Sequence, residues 1–480
     1  MILRVVGVVM IAAACARGAD LPAKPQAAMS SLVEEIALTV RAAPAPSPAM
    51  RYHFLPEIVD QTPGNAALLY LTAGQQVAGA RAADPVASDD ERKIDQWLAT
   101  PVGELPRDQV RAVLARYEAG MKQLRMAALR ERCDFGLSFR NDGFRTVLPG
   151  MADARVLARL AVLSARLKLA GGDSAGAVND LGIPLVQARH LNEQAFLVQL
   201  LVAASASDLA LRQIPDVIGR ETSPNLYWAL GDLPSPFLDV RGAMKMERAG
   251  AYFTVPQLKE ARDGGRLTTE QWREAVRAMT DLRLHSYGTQ ANRAPEDVML
   301  ALYCVKEYPL AKQYLLERKM PAKEIDAMSA SQVLGLYHVG QFERWTQEID
   351  KCLTLPYWQG IAVLNRTEAQ MPVAMGASPW SLLGVFAPSM KQPYTTVARI
   401  DRQIALWRCV EAVRAYAAGH DGNAPARLDQ IVQTPAPPDP MTGKAFVYEV
   451  SGNRVTIEGP TVEAALPLRT GMRVVLTISR

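Results

Sequence analysis

The sequence predicts a mainly α protein: a multi-helix array followed by a small C-terminal α+β module that contains a β-hairpin. Three observations predict it. Apolar residues recur at steps of three and four within 110–128, 156–170 and 400–417, the period that gathers side chains on one face of a helix. Short proline- and glycine-rich breaks separate such stretches, so neighbouring helices should run antiparallel and pack together. Near the end, two short runs flank Ser451-Gly452-Asn453, a hairpin signal. Of the 480 residues 49% are hydrophobic and 21% charged, a mixture that builds cores and excludes a mostly disordered chain. Basic residues exceed acidic ones by only 53 to 49, which excludes a molecule-wide field for nucleic acid.

Residues 1–19 read as an export signal, with Arg4 as the positive start, Val5 to Ala14 as a short apolar run, and small residues after it. Arg17 and Asp20 interrupt the run before it reaches the ~20 residues that span a bilayer. Ala12-Ala13-Ala14-Cys15 resembles a bacterial lipobox, and that resemblance implies a lipidated Cys15 and contact with a membrane only through this anchor. Cleavage after Ala16, with Ala14 and Ala16 as the small residues, is the alternative and the preferred reading. Both place the mature chain in the periplasm or at the envelope. The organisation expected is signal peptide 1–19, helical body 20–395, and C-terminal module 396–480.

Ser31 and Glu34 have capping-box spacing ahead of Ile36 to Val40, which predicts a first helix ended by Ala43-Pro44-Ala45-Pro46-Ser47-Pro48. After Pro106, the stripe Val110, Leu114, Tyr117, Met121, Leu124 and Ala128 predicts one long helix. Arg111, Arg116, Lys122, Arg125, Arg130 and Arg132 lie off that stripe. They suit an anionic partner, but Glu118 and Glu131 dilute them, and a solvated face is preferred. Val156, Leu160, Leu163, Leu167 and Ala170 predict a helix closed at Gly171-Gly172, and a second one begins near Asp173. Ala195 to Ala206 is apolar but too short to cross a membrane, so it reads as a buried helix. Ser223-Pro224 reads as an N-cap with proline at the first helical position, leading into Leu226 to Leu230. Helices are also expected over Thr269–Met279, Pro295–Tyr303, Pro321–Met328 and Gln332–Leu353. The stripe Ile400, Ile404, Trp407, Val410, Val413 and Ala417 predicts a last long helix. A short helix over Pro425–Val432, strands over Ala445–Val450 and Arg454–Glu458, and a third strand over Met472–Ile478 complete the chain.

Two of these regions carry resemblances. The helix pair around 172 resembles one tetratricopeptide repeat, with Gly172, Asp173 and Ala177 at its turn and close-packing positions, and Pro184 as a departure. Leu428, Asp439-Pro440-Met441-Thr442-Gly443-Lys444, Phe446 and Tyr448 resemble the periplasmic part of the major pseudopilins of type II secretion. In that turn Asp439 is suited to bond the backbone, Pro440 fixes a dihedral, and Gly443 permits a positive one. The acidic calcium loop of that family is not evident after Glu458, so the resemblance implies a fold for the ending rather than a metal. At larger scale the chain is similar to exported bacterial proteins that join a helical body to such an ending. The matching segments are Asn65–Leu71, Cys133–Gly136, Gly172-Asp173, Leu226–Pro234, Leu355–Gln359 and Asp439–Tyr448. That similarity implies no activity.

No motif assembles a reaction centre. Gly172-Asp173-Ser174-Ala175-Gly176 satisfies the G-x-S-x-G pattern of serine hydrolases, but that pattern needs a strand before the serine, and here a helical stripe precedes it. His53, His190, His285, His338 and His420 are scattered, without H-E-x-x-H or a phosphate loop elsewhere, so no catalytic, metal or cofactor-binding residue is assigned. Cys133, Cys304, Cys352 and Cys409 remain after Cys15. In an oxidising compartment they permit one or two disulfides, while buried free thiols are preferred because their spacing fits neither zinc nor a redox pair. Tyr227-Trp228 and Tyr357-Trp358 suit a groove for peptide or glycan, or anchors of helix starts in the core, the commoner use. The function expected is a non-enzymatic envelope protein that binds a protein partner and no nucleic acid. An accessory subunit of a secretion or pilus-like machine is the alternative, followed by a hydrolase using Ser174.

Overall fold

The computed structural model describes residues 33–193, 196–287, 296–370, 390–462 and 470–479, with the side chains of 85 and 280–304 outside that description. The segment 1–19 expected to be an export signal, Cys15, Ser31, the thiol of Cys304 and the ring of His285 therefore lie outside the described residues.

The chain is mainly α. Its helices are α1 (Ala67–Ala83), α2 (Asp90–Ala99), α3 (Arg107–Arg116), α4 (Glu118–Ala128), α5 (Phe139–Asp142), α6 (Met151–Ala170), α7 (Ser174–Asn192), α8 (Leu197–Leu211), α9 (Ile214–Ile218), α10 (Tyr227–Gly231), α11 (Val240–Thr254), α12 (Pro256–Arg262), α13 (Thr269–Tyr287), α14 (Glu296–Glu317), α15 (Ala322–Asp326), α16 (Ala330–Cys352), α17 (Tyr357–Gln370) and α18 (Lys391–Ala418). The strands are β1 (Val33–Arg41), β2 (Thr62–Asn65), β3 (Arg130–Arg132), β4 (Val447–Ser451), β5 (Arg454–Gly459) and β6 (Gly471–Ser479). One core runs from Val40 to Ile478, and a smaller apolar cluster joins Ala311 and Leu315 of α14 to Val333, Leu334 and Tyr337 of α16.

The centre of the body is α8, which packs on α6, α7, α11 and α18. Leu197–Ile218 is long and apolar enough to cross a membrane by length and composition, but it lies mostly inside the protein. Neighbouring helices cover most of its surface, while Ser205 is exposed and Asp208 half-buried. The six-residue stripe over 110–128 is buried as its spacing predicts, although the helix divides into α3 and α4 at Tyr117. The phenol of Tyr117 donates to the buried Asp90 carboxylate at 2.8 Å.

Three expectations need correction. The segment predicted as the first helix is strand β1, whose Ile36, Leu38 and Val40 alternate with period two. All nine of its residues pair in parallel with β6, from Val33 opposite Gly471 to Arg41 opposite Ser479. A parallel pair requires a long crossover, and here the whole helical body provides it. The sheet order is β1-β6-β5-β4, so the first strand among the described residues completes the sheet of the module 396–480, across the boundary expected at 395. Second, the start of α10 is not capped by Ser223: Asn225 accepts the backbone N–H of Tyr227 at 3.0 Å instead. Third, the short helix over Pro425–Val432 is only the single 3-10 turn Leu428–Gln430.

The C-terminal hairpin forms as expected, with Ser451 opposite Arg454 across Gly452 and Asn453. Most of helix α18 is buried, including part of its polar face. Ile400, Ile404, Trp407, Val410, Val413 and Ala417 face apolar neighbours, while Arg402, Gln403, Glu411 and Arg414 are also within 1% of full burial. A single apolar stripe would leave the polar face in water; here Asp208 of α8 meets Gln403, the loop 223–225 and the end of β1 meet Glu411 and Arg414, and the ends of β5 and β6 meet Arg402.

Candidate functional site

The polar groups with most potential for chemistry are buried at the joints between elements. On α18, the guanidinium of Arg402 donates to both carboxylate oxygens of Asp439, at 2.8 and 2.6 Å, and to the carbonyls of Pro460 and Thr470 at 2.9 and 2.5 Å. Both side chains of the pair are 0% exposed. Asp439 also accepts the backbone N–H of Met441 at 2.9 Å and the hydroxyl of Thr442 at 3.0 Å, so the turn 439–444 closes around the carboxylate it offers to the helix. Gly443 stands there at φ +70°, and an added Cβ would lie 2.5 Å from the ring of Trp358. Both its conformation and its lack of a side chain are required.

Three turns further along α18, Arg414 donates to both oxygens of Glu411 at 2.9 and 2.8 Å and to the carbonyl of Arg41 at 3.0 Å. Asn225 donates to the carbonyls of Ala43 and Glu411, at 3.1 and 2.8 Å. This second pair fixes the exit of β1 against the start of α10. Burial raises the Glu411 carboxyl, and Arg414 opposes that rise.

A third cluster joins α1, β3 and α7. The phenol of Tyr70 lies 2.8 Å from Nδ1 of His190, and Nε2 of His190 lies 3.0 Å from the carbonyl of Arg130. A carbonyl only accepts, so Nε2 carries the proton and Nδ1 accepts from Tyr70. Burial lowers His190 to about 4, so the ring is neutral at neutral pH. Beside it, Glu193 accepts the backbone N–H of Cys133 at 2.7 Å, and burial pushes the Cys133 thiol up to about 12. The thiol is protonated at any physiological pH and is not a nucleophile.

Two further carboxyls each hold a backbone amide. Glu247 of α11 accepts the N–H of Leu197, the first residue of α8, at 2.9 Å, and its second oxygen is buried without a partner. Asp401 accepts the N–H of Phe237 at 2.8 Å. Burial pushes each up to about 7. A carboxyl poised near neutrality suits general acid–base work only where substrate can reach it, and Glu247 is 2% exposed.

Ser174 is the first residue of α7. Asp173 caps that helix by accepting the N–H of Gly176 at 2.8 Å, and Gly172 makes the turn at φ +86°. Helix α6 precedes the turn, so the strand-to-helix elbow that presents a catalytic serine is not built here. The histidines stay apart: His53 lies 3.2 Å from Glu57, His338 3.0 Å from Glu307, and His420 stacks on Tyr416. Among the described residues, no group of three or more His, Cys, Asp or Glu side chains is placed to hold a metal ion. Cys133, Cys352 and Cys409 are free and buried.

The basic residues near α3 and α4 are largely paired. Arg111 meets Asp108, Arg116 meets Asp84 and Asp90, Arg125 meets Glu118, and Arg130 donates to the carbonyl of Pro63. The aromatic pairs anchor helix starts. Tyr227 donates to the carbonyl of Pro435 at 2.6 Å, and the Tyr357 hydroxyl lies 3.0 Å from that of Thr395.

The segments that carried the sequence resemblance meet at these same joints. Asn65 bonds the backbone of Asp134 through both ends of its amide, and Trp358 packs on Gly443. Sequence reasoning passed over Arg402, Asp439's partner, because a lone arginine in a helix reads as exposed. The only available signal was its position next to the apolar stripe. Searches of family models, curated proteins and solved structures found no match to this chain.

Proposed function

We propose that this is an exported, non-enzymatic protein of the cell envelope that acts by binding another protein. The observation that carries the reading is a contrast in how side chains are used. The buried ionisable groups described above bind backbone or one another, while large aliphatic side chains stand in solvent at Ile58, Val59 and Val432, exposed by 88%, 83% and 83%. Interior chemistry is spent on holding elements together, and the apolar groups left outside are those a protein partner would cover. In-cell cross-linking followed by purification from intact envelopes tests this. Recovery of one partner in constant ratio supports it, and recovery of none sinks it.

A second reading, an accessory subunit of a secretion or pilus-like machine, is favoured by strand β4, the end of the sheet among the described residues, where Val447 and Val450 are exposed. Deleting 396–480 would also strip β1 of its partner. Val447→Lys with Val450→Lys is the cleaner perturbation, and unchanged secretion in that variant removes the support.

A further inference from the structure

The segment Glu57-Ile58-Val59-Asp60 points to the surface that does the binding. It forms a 3-10 turn in which the N–H of Asp60 donates to the carbonyl of Glu57 at 3.0 Å and the N–H of Gln61 donates to the same carbonyl at 3.2 Å. The amide of Gln61 donates back to the carbonyl of Pro56 at 3.2 Å. Both feet of the turn are fastened. Before it, Phe54 is 3% exposed and its carbonyl lies where an added Cβ on Gly182 of α7 would sit; after it, Thr62 donates to the carbonyl of Leu129 at 2.7 Å. A slack loop exposes aliphatic groups by default, but this one is hydrogen-bonded within the turn and on both sides of it while it presents two of the most exposed aliphatic side chains in the described residues. Leu129, at the foot, adds further exposed apolar surface.

The charge around the tip selects the occupant. Glu57 and Asp60 flank the two aliphatic residues and are exposed, and Asp232 lies 3.8 Å from His53 at the base. The imidazole of His53 lies 3.2 Å from Glu57, on the inner side of the rim, and Arg130 is turned to the carbonyl of Pro63. An acidic rim is repelled by an anionic lipid surface and attracted by lysine or arginine. We infer that Ile58 and Val59 insert as a preformed anchor into a shallow apolar pocket of a protein partner, and that basic side chains of that partner meet Glu57 and Asp60. A rigid anchor loses little conformational freedom on docking, which is why hydrogen bonds on both sides of the turn matter to the binding.

This inference rests on the protein-binding reading, and the experiment separates the two. A benzophenone amino acid replaces Val59 in the full-length chain, and in a parallel sample it replaces Val432; both are irradiated in intact cells. The expected result is an adduct at position 59 whose attachment point, mapped by mass spectrometry, lies in an apolar pocket edged by lysine or arginine. Glu57→Lys with Asp60→Lys should lower its yield by about tenfold or more, as should Ile58→Ser in the same background, with thermal unfolding little changed because these side chains are exposed and the contact of Glu57 with His53 lies at the surface. An adduct to lipid, an adduct indifferent to charge reversal, or no adduct overturns the anchor. If a general lysine-reactive cross-linker still recovers a specific partner in that case, the protein-binding reading stands without the anchor. If neither method recovers one, both fall.

Discussion

Replacing Arg402 with methionine should remove the fastening between α18 and the sheet, and its cost follows from the contacts. The substitution keeps the apolar stem but strands the Asp439 carboxylate at 0% exposure and leaves the carbonyls of Pro460 and Thr470 without their donor. Breaking a buried ion pair by removing one member costs about 3–5 kcal/mol. Asp439 retains two donors, Met441 N–H and the Thr442 hydroxyl, which places the expected loss near the lower end, about 3 kcal/mol. Asp439→Asn should cost about as much, because it leaves a buried guanidinium facing only neutral acceptors. The double variant removes both charges, so its loss should fall well short of the sum, with a coupling of about 2–3 kcal/mol. Equilibrium urea unfolding followed by circular dichroism measures all three, and hydrogen exchange at the amides of 441–444 reports whether the turn opens first. Additive losses, or a loss below about 1 kcal/mol for Arg402→Met, would show that the pair does not hold the helix to the sheet.

Glu247→Gln should raise stability at pH 8 and change little at pH 4. The carboxyl is pushed up to about 7 from an ordinary 4.5, so its stabilising, protonated form is complete below 4.5 and is lost as pH rises through 7. At about 1.4 kcal/mol per unit the gain is bounded near 3 kcal/mol, and melts at the two pH values measure it. Gly443→Ala should destabilise by about 2–4 kcal/mol, from the left-handed backbone and the contact with Trp358, and Trp358→Ala should recover part of that loss in chemical denaturation. A thiol reagent should label Cys133, Cys352 and Cys409 slowly in the native protein and quickly in denaturant, since each is buried and burial raises each thiol above its usual range. Rapid native labelling at any of the three would contradict the packing. Asp173→Ala should cost about 1 kcal/mol as a lost helix cap, whereas Ser174→Ala should stay within about 0.5 kcal/mol, read from the same unfolding curves.

The residues themselves determined what depends on near neighbours. A stripe such as Ile400 to Ala417 needs only a 3.6-residue period to become a helix, Asp173 needs only the next three residues to cap one, and Ser451-Gly452-Asn453 needs only its own backbone to turn a hairpin. Tertiary structure decided the rest. Val33–Arg41 became a strand because β6, more than 400 residues later, supplies its hydrogen bonds, and a capping-box spacing at its start carries no information about such a partner. Arg402 and Arg414 are the residues that composition would place in water. They are buried because the turn at Asp439 and the exit of β1 bring carboxylate and carbonyl oxygens to them, and a charged group stays inside only when folding delivers its partners. The exposed tip at Ile58 and Val59 is the mirror case: two aliphatic side chains, of a kind usually buried, stand outside on a turn hydrogen-bonded at both ends.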